Sequence, residues 1–388
     1  MTKKNNILLP EGFKDLLIDE ALAESQLVRN LLDTFQKSGY EIIKPPLIEN
    51  EDSILDNVGF KLEENMFKFI DPKTQNTLCL RSDITIQVSR IVSSHLSKLS
   101  RPLRLSYSGD ILRIKTSQIR PERQFTQTGF ELIGEKSFDA DIEVITLAVD
   151  SLKQVGVPKI SIDLTLPTFI DNIFEDLDFS EKDKIIIRDF LDKKDLASLK
   201  KLELSKETDI FEVVLNSIGP VENALNTLNS LKLNSKAKDL IFYINNVYEG
   251  IKKLLPDVSI TIDLSEYNGF EYHTGIGFTL FSPLAKFELG KGGRYLTSSK
   301  EDAVGFSIYL DSLIKIAVFN IESNSNRILL PAETTFQEAK ELRDAGWLTV
   351  KLFKKTKSIL IEAKNLRCSY VYFDKKPKSL KQMKKILE

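Results

Sequence analysis

The stretch RPLRLSYSGDILRIKTSQIRPERQFTQTGFELIG, residues 101–134, contains two strand-like runs. These runs, 101–114 and 122–134, lie on either side of the polar segment KTSQIRP. Runs of β-branched and aromatic residues joined by a polar connection are typical of neighbouring antiparallel strands. The stretch therefore predicts a long antiparallel hairpin.

Polar side chains recur along the second of these strands. Gln127 and Glu131 are four residues apart, so on a strand they point to the same side as Arg123 and Phe125. A polar stripe on a buried sheet is costly unless its groups find partners or a ligand, whereas a solvated antiparallel face tolerates one. Both interpretations stay open at this point. Under the first, the arginines that flank the loop, Arg113 and Arg123, suit a phosphate or a carboxylate.

Helical spacing of apolar residues surrounds the hairpin. Residues 18–39, 84–96 and 139–156 repeat apolar positions at intervals of three and four, which predicts amphipathic helices. Residues 66–81 predict a smaller hairpin that turns within the segment DPKTQN. Helices and strands mixed in this order predict an α+β core.

Changes in sequence character along the chain predict its domains. Residues 167–256 lose nearly all strand signals and follow helical periodicity, so we expect a helical insertion. Residues 1–166 and 257–320 then form the α+β core on either side of it. After the polar linker NIESNSNR, residues 327–388 alternate strand and helix, which predicts a small α/β domain.

The composition excludes several classes of protein. The chain has 388 residues, 42% hydrophobic and 28% charged, as in globular proteins with a sizeable core. Its 54 basic and 56 acidic residues give a net charge of −2, so no overall basic field attracts nucleic acid. No segment approaches the ~20 apolar residues of a membrane-spanning helix. Cys79 and Cys368 fit no metal spacing, and we expect a reduced, cytoplasmic setting.

The segment LRSDIT, residues 80–85, concentrates polar side chains before a predicted helix. Arg81, Asp83 and Thr85 alternate with apolar neighbours, so on a strand they share one face. A carboxylate and a hydroxyl placed in this way suit the ammonium group of a substrate. A surface strand end with an Arg–Asp pair is the alternative, since such pairs are common and contribute little stability.

The segment EYNGFEYHTGIGF, residues 266–278, is rich in glycine and aromatic residues. On an extended strand Tyr272 and His273 fall on opposite sides, and the glycines leave room where something approaches closely. His273 suits a hydrogen bond to a ligand or a pH-dependent role, and a structural histidine is the alternative. His95 is the other histidine of the chain, and no Cys or acidic cluster surrounds either, so the sequence predicts no metal site.

A second glycine-rich segment, ELGKGGRY at residues 288–295, matches neither common phosphate-binding spacing. It predicts a tight turn that brings Arg294 beside the strands. No Ser/His/Asp or Cys/His combination indicates a catalytic nucleophile.

Taken in order, these segments resemble the catalytic core of histidyl-tRNA synthetase, a class II aminoacyl-tRNA synthetase, from LPEGFKDLL to about residue 320. GYEIIKPPLIE resembles motif 1, GDILR with RQFTQTGFELIG resembles motif 2, and GKGGRY with AVGFSIYLDSL resembles the approach to motif 3 and the motif itself. LRSDIT and YNGFEYHTG are similar to two further signatures of that family. The resemblance implies an antiparallel sheet with flanking helices, a helical insertion, and a shortened anticodon-binding domain at the end of the chain.

The chain departs from the synthetase pattern at positions that handle ATP. Asn268 stands where the family has a catalytic arginine, and Ser312 stands where motif 3 has the arginine that lies on ATP. Lys115 replaces the motif 2 glutamate that helps to place ATP. Loss of one preorganised donor typically costs ~10²–10³ in rate. The resemblance therefore implies that aminoacylation is lost, that no cofactor is needed and that no tRNA partner is expected.

The half of the pocket that holds the amino acid is better kept. By resemblance, the residues that would hold histidine are Asp83, Thr85, Arg113, Gln127, Glu131, Tyr272 and His273, the last in place of a tyrosine. The acidic members would receive the ammonium group, and the aromatic members would line the imidazole.

A kept amino-acid site with a lost ATP site resembles the regulatory subunit of ATP phosphoribosyltransferase, and YHTGIGFTLF is similar to that family's signature. The resemblance implies a homodimer that assembles with the short-form catalytic subunit into a hetero-oligomer of histidine biosynthesis. The chain would be required for activity, and histidine would be the effector. The alternatives are an active histidyl-tRNA synthetase and a synthetase-like enzyme that modifies RNA or protein.

Overall fold

The structure, a computed structural model, describes residues 8–52, 65–115, 121–175, 177, 179–202, 209–267, 272–285, 288–314, 326–356 and 358–387. The chain divides into two compact units, Met1–Phe319 and Asn320–Glu388, and each has hydrophobic clusters of its own.

The first unit is built on a nine-stranded sheet. β5 (Leu103–Leu112) and β6 (Gln124–Ile133) form the predicted long antiparallel hairpin, with Leu103 opposite Ile133. The other strands are β1 (Glu41–Ile42), β7 (Ser161–Thr165), β8 (Gly219–Pro220), β9 (Ser259–Ile262), β10 (His273–Phe281), β11 (Gly290–Leu296) and β12 (Asp302–Tyr309). Their order is β1-β5-β6-β12-β11-β10-β7-β9-β8. β1–β5 and β7–β9 are parallel pairs, whereas the pairs at the centre of the sheet are antiparallel.

The first unit also contains a three-stranded sheet. It is formed by β2 (Ile48–Asn50), β3 (Lys68–Ile70) and β4 (Thr77–Leu80) in the order β2-β4-β3. β3 and β4 are the predicted small hairpin. Its turn is closed by Asp71, whose carboxylate accepts hydrogen bonds from the Lys73 N–H and the Thr74 hydroxyl.

The helices of the first unit follow the predicted periodicity. They are α1 (Ile18–Lys37), α2 (Ile84–Ser94), α3 (Phe138–Gln154), α4 (Phe169–Phe174), α5 (Glu181–Asp192), α6 (Leu196–Lys201), α7 (Asp209–Asn216), α8 (Val221–Asn229), α9 (Ser235–Leu254) and α10 (Leu310–Leu313). Residues 167–256 are therefore mainly helical, with β8 as a two-residue exception that pairs with β9.

α1 shows how the sequence specifies a helix on the sheet. Its buried side chains, Ala23, Leu27, Leu31 and Phe35, recur every fourth residue and face the core. The Phe35 ring packs 4.7 Å from the ring of Phe130 on β6. The helix ends before Gly39, whose φ of +87° suits a residue without a side chain. Burial of one large apolar side chain of this kind stabilises the fold by ~1.5–3 kcal/mol.

The apolar face of the sheet and the helices α4–α9 share one hydrophobic cluster. Phe306 on β12, Phe169 on α4 and Ile244 on α9 are members of this cluster, and each is almost fully buried. The opposite face of the sheet centre carries polar side chains, so the two faces of the same strands have different roles.

The second unit has the α/β architecture predicted from the sequence. Its strands are β13 (Arg327–Leu330), β14 (Leu348–Lys351), β15 (Tyr370–Phe373) and β16 (Lys376–Ser379), in the order β14-β13-β15-β16. Its helices are α11 (Phe336–Asp344), α12 (Ile359–Asn365) and α13 (Leu380–Leu387). α11 begins with a capping box, in which Thr335 and Glu338 bond to each other's backbone N–H.

Two predicted local structures are wrong. LRSDIT is not a strand, because β4 ends at Leu80 and Asp83 caps α2 by accepting a hydrogen bond from the Thr85 N–H. ELGKGGRY contains no tight turn around its glycines, because residues 290–296 form the central strand β11. Arg294 instead lies beneath that strand, where it pairs with the buried Asp141 at 2.9 Å.

Among the helices that the structure describes, none combines the length and the apolar composition of a membrane-crossing segment.

Candidate ligand-binding site

On the polar face of the sheet centre, three glycines form a row across neighbouring strands. Gly277 on β10, Gly293 on β11 and Gly305 on β12 lie opposite one another across three neighbouring strands. The row ends at Glu131 on β6, which lies opposite Gly305. Directly opposed residues of antiparallel strands present their side chains to the same face. The three glycines therefore form a floor of bare backbone beside the Glu131 carboxylate.

Two of these glycines make room for neighbouring side chains. A Cβ atom at Gly305 would lie 1.7 Å from Oε2 of Glu131, and one at Gly293 would lie 2.5 Å from Cδ2 of His273. Any residue other than glycine would displace the carboxylate or the imidazole. The Glu131 carboxylate and the His273 ring can therefore lie close against the sheet.

Glu131 is buried and receives three hydrogen bonds. Oε1 accepts one from the Thr85 hydroxyl at 3.0 Å and one from the Tyr107 hydroxyl at 3.1 Å. Oε2 accepts one from the Tyr295 hydroxyl at 2.9 Å. Burial is the main cause that raises the pKa of Tyr107 and Tyr295, and the Glu131 carboxylate is the second. Both hydroxyls therefore stay protonated and donate. These donors all favour an ionised carboxylate.

Burial opposes that ionisation. It raises the pKa of Glu131 to about 8, although the hydrogen bonds from Tyr295, Thr85 and Tyr107 lower it. The Glu131 carboxylate is thus surrounded by hydrogen-bond donors, but its negative charge is poorly solvated. A ligand that brings a cationic or N–H group to Glu131 would supply the missing compensation.

Gln127 extends the network from Glu131 to Asp83. Its side-chain oxygen accepts a hydrogen bond from the Ile84 N–H at 2.9 Å, which fixes the orientation of the amide. Its NH₂ group then donates to Asp83 at 3.0 Å and to Ser307 at 2.7 Å. Because the Tyr107 hydroxyl donates to Glu131, the Ser307 hydroxyl 2.9 Å away donates to Tyr107. The predicted polar stripe is therefore a buried network and not a solvated face.

Tyr272 and His273 lie together at the start of β10. Their rings stack with centroids 4.2 Å apart, and Tyr272 also contacts the ring of Tyr295 edge-on at 6.1 Å. Both line the same cavity, so the prediction that they fall on opposite sides is wrong. Tyr272 precedes β10, which begins at His273, so the alternation of the strand does not extend to Tyr272.

The cavity itself is small and open to solvent. It encloses about 190 Å³, including its open mouth, and Gly293 and Gly305 of the glycine row line it. The residues that line it are Thr85, Glu131, Tyr272, His273, Lys291, Gly292, Gly293, Tyr295, Gly305, Phe306 and Ser307. A larger cavity of about 480 Å³, lined among others by Lys14, Glu24 and Asp110, includes none of the predicted ligand-binding residues.

The arginines of the predicted site lie elsewhere. Arg113 lies against the rings of Phe125 and Tyr309, which contact each other edge-on, donates to the Ser82 carbonyl at 3.2 Å, and does not line the cavity. Arg123 stacks on the ring of Phe67, and its Nε donates to the Arg113 carbonyl oxygen at 3.4 Å. The two guanidinium groups thus have protein partners, and the anion site predicted for this pair stays a prediction.

Arg81 has a structural role. It donates to the carbonyl oxygen of Asp110 at 2.6 Å and to that of Pro45 at 3.0 Å, which ties the turn before β2 to β5. It forms no surface pair with Asp83.

Of the two positions at which the synthetase arginines are replaced, Asn268 lies outside the described residues. Ser312 is buried in α10, directly after the strand that carries Ser307. Lys115 does not line the cavity, and its backbone N–H donates to the side-chain oxygen of Asn65 at 3.1 Å.

Within the part of the chain that the structure describes, no group of three or more His, Cys, Asp or Glu side chains could hold a metal ion.

Sequence reasoning missed several members of the network. Tyr107, Tyr295 and Ser307 complete it, and Lys291 adds a cation to the lining of the cavity. The signal available for them was a polar residue within an otherwise buried strand, as in GFSIY. That signal alone does not show which strands are neighbours.

Comparison with known proteins shows the family of the chain. The family model for histidyl-tRNA synthetase matches residues 12–313. The ATP phosphoribosyltransferase regulatory subunit of Rhodospirillum centenum is 38% identical over 366 residues, which are 94% of each chain. The protein of the same name from Paramagnetospirillum magneticum is 37% identical over 94% of this chain and 96% of its own.

Solved structures show the same fold. An ATP phosphoribosyltransferase regulatory subunit/histidyl-tRNA synthetase from Bacillus halodurans superposes with a TM-score of 0.82 at 24% identity, over 94% of this chain and 98% of its own. Histidyl-tRNA synthetase from Nostoc gives 0.74 at 21% identity, over 94% and 90%. The family match and the fold define a protein of the histidyl-tRNA synthetase class. Within that class, the chain belongs to the family of ATP phosphoribosyltransferase regulatory subunits, as its sequence predicts.

Proposed function

We propose that this chain is the regulatory subunit of an ATP phosphoribosyltransferase in histidine biosynthesis. In this role it is required for the activity of the short-form catalytic subunit and makes that activity sensitive to histidine. The observation that carries the proposal is similarity over 94% of the chain to proteins named for this role. We also expect a cytoplasmic homodimer within a hetero-oligomer, without tRNA as a partner.

The cavity supports histidine as the effector. Its predicted members Thr85, Glu131, Tyr272 and His273 line one space, and Gln127 and Asp83 join it by hydrogen bonds. Histidine offers an ammonium group and an imidazole N–H. A buried carboxylate that already accepts hydrogen bonds from three hydroxyls is suited to accept such groups as well.

Loss of aminoacylation is part of the proposal. It rests on the resemblance at Asn268, Ser312 and Lys115, where the charges that place ATP in a synthetase are missing. An ATP–pyrophosphate exchange assay with histidine checks this directly. Exchange at the rate of a working synthetase would contradict it.

The central experiment measures phosphoribosyl-ATP formation by the short catalytic subunit from the same source, with and without this chain. We expect activity only when both are present, and inhibition when L-histidine is added. Light scattering of the separate and mixed proteins checks the homodimer and the hetero-oligomer. Equal activity of the catalytic subunit alone would contradict the regulatory role.

Variants at Gln127 and Glu131 test where histidine is sensed. Gln127→Ala and Glu131→Ala are expected to weaken inhibition by histidine while the hetero-oligomer still assembles. Glu249→Ala, an exposed acidic position on α9, serves as the control for loss of a carboxylate. Unchanged inhibition in both site variants would move the effector site to the interface with the catalytic subunit.

A further inference from the structure

Among the cavity-lining side chains that were not predicted to hold histidine, Lys291 carries a positive charge. Lys291 lines the cavity from β11, and it lies opposite Ser307 of β12 in the register of the sheet. It is half-buried. Among the residues that the structure places around the cavity, Lys291 is the one lysine or arginine.

Lys291 and Glu131 approach the cavity from opposite sides. Glu131 is on β6 and Lys291 is on β11, with β12 between them, so their backbones are two strand spacings apart, on the order of 10 Å. The intervening strand contributes Gly305 and Ser307 to this face, and Gly305 has no side chain to separate the two charges. The cavity therefore has an acidic side and a basic side across a floor of backbone.

The other candidate cation is directed elsewhere. Arg113 lies against the rings of Phe125 and Tyr309 and donates to the Ser82 carbonyl and the Tyr309 hydroxyl. It is absent from the lining of the cavity. A ligand carboxylate on the β11 side of the cavity would meet Lys291.

We propose that the Lys291 ammonium binds the α-carboxylate of the amino acid whose nitrogen groups face Glu131. The inference rests on the proposed function, because it names the group that holds one end of the proposed effector. It makes the free carboxylate a requirement for binding. The site then selects an intact α-amino acid over an analogue in which the carboxylate is reduced or removed.

The surroundings of Lys291 include a second carboxylate, that of Glu266. Burial raises the pKa of Glu266, and Lys291 is the largest of the influences that lower it. The two side chains are therefore close enough to interact.

A comparison of two ligands in two variants tests the proposal. Calorimetry measures the affinity of the full-length protein for L-histidine and for L-histidinol, which carries CH₂OH in place of the carboxylate. In Lys291→Met the affinity for L-histidine is expected to fall about 10- to 100-fold, the range for a hydrogen bond to a charged group. The affinity for L-histidinol is expected to stay the same. Lys291→Arg should retain most of the affinity for L-histidine.

Lys182→Met is the control for loss of one positive charge, because Lys182 is exposed on α5. Equal loss of affinity for both ligands in Lys291→Met would overturn the proposal, since it would indicate a general effect on the cavity. Unchanged affinity for L-histidine would overturn it as well, while leaving the proposed effector in place. If the unaltered protein binds no L-histidine, both this inference and the proposed effector fail.

Discussion

At the scale of single residues, the missing side chain at Gly305 determines where the Glu131 carboxylate lies. A methyl group there would overlap Oε2 of Glu131, which is the end of a flexible side chain. We expect Gly305→Ala to leave the fold intact but to displace the carboxylate from Tyr295. Loss of a hydrogen bond to a charged group corresponds to ~1.5–3 kcal/mol, so L-histidine affinity should fall by about 10-fold or more. Calorimetry and the melting temperature measure the two effects separately.

Gly290→Ala provides the contrast. Its methyl group would lie 2.3 Å from the backbone oxygen of Ser307, which cannot move without distorting β12. This variant should lower the melting temperature. If Gly305→Ala unfolds as readily as Gly290→Ala, the carboxylate is not the flexible partner in this contact.

The raised pKa of Glu131 predicts a pH dependence of stability. Its pKa moves from 4.5 to about 8 on burial, so the folded protein holds a proton there that the unfolded chain releases. The free energy of unfolding of the ligand-free protein should therefore decrease as the pH rises from about 4.5 to about 8. One proton contributes a slope of at most about 1.4 kcal/mol per pH unit. Denaturant titrations across this range measure it.

Glu131→Gln is the matched variant, since the amide keeps the shape and does not titrate. The slope of stability against pH should become shallower in this variant. Asp141, whose pKa burial raises to about 6, remains and accounts for part of the residual slope. An unchanged slope in Glu131→Gln would show that Glu131 does not hold the proton.

The sequence predicted some residues of the site and not others for a physical reason. Gln127 and Glu131 share one strand, so their common direction follows from its two-residue period. Ser307 and Tyr295 reach the same network from strands more than 150 residues away. Which strands are neighbours depends on sheet order and register, and a local pattern contains neither.

At the scale of elements, Asp83 has two separable roles. It caps α2 through the Thr85 N–H at 2.9 Å, and it accepts a hydrogen bond from Gln127. Asparagine is an equally good N-cap, so Asp83→Asn should keep the stability of the protein but weaken L-histidine binding through the lost charge. Asp83→Ala should lose ~1 kcal/mol of stability as well. Thermal unfolding and calorimetry separate the two roles.

Asp195 is the control for capping alone. It caps α6 by accepting a hydrogen bond from the Ser198 N–H at 3.0 Å, and it does not line the cavity. Asp195→Ala should cost stability with no change in L-histidine affinity. If Asp83→Asn bound L-histidine normally, the role of Asp83 would be confined to the helix.

The two local structures that were predicted wrongly have related causes. The alternation in LRSDIT fits a strand, but a carboxylate that can cap a helix competes with that pattern, and here the cap prevails. The glycines of GKGGRY suggest a turn, but they occur in a central strand because Phe278 and His273 occupy the space their side chains would fill. In both cases a tertiary contact outweighs the local preference.

At the scale of the whole molecule, the predicted domain boundaries stay a prediction. The cavity-lining residues belong to the first unit, and the second unit has its own hydrophobic clusters. We therefore expect a chain that ends at Phe319 to unfold cooperatively and to bind L-histidine as the full chain does. Calorimetry on both chains checks this. Loss of binding on truncation would mean that the second unit supports the cavity.

During synthesis β6 can pair with β12 only after the ribosome has added the residues of β12. Between Ile133 and Asp302 the ribosome adds roughly 170 residues, which at about 5–20 residues per second takes on the order of ten to thirty seconds. For that period the nascent β5–β6 hairpin has an unpaired edge that another chain could join. A charge on the inward face of an edge strand discourages such joining. The Glu131 carboxylate, which organises the cavity in the finished protein, is thus placed to protect the unfinished one from aggregation.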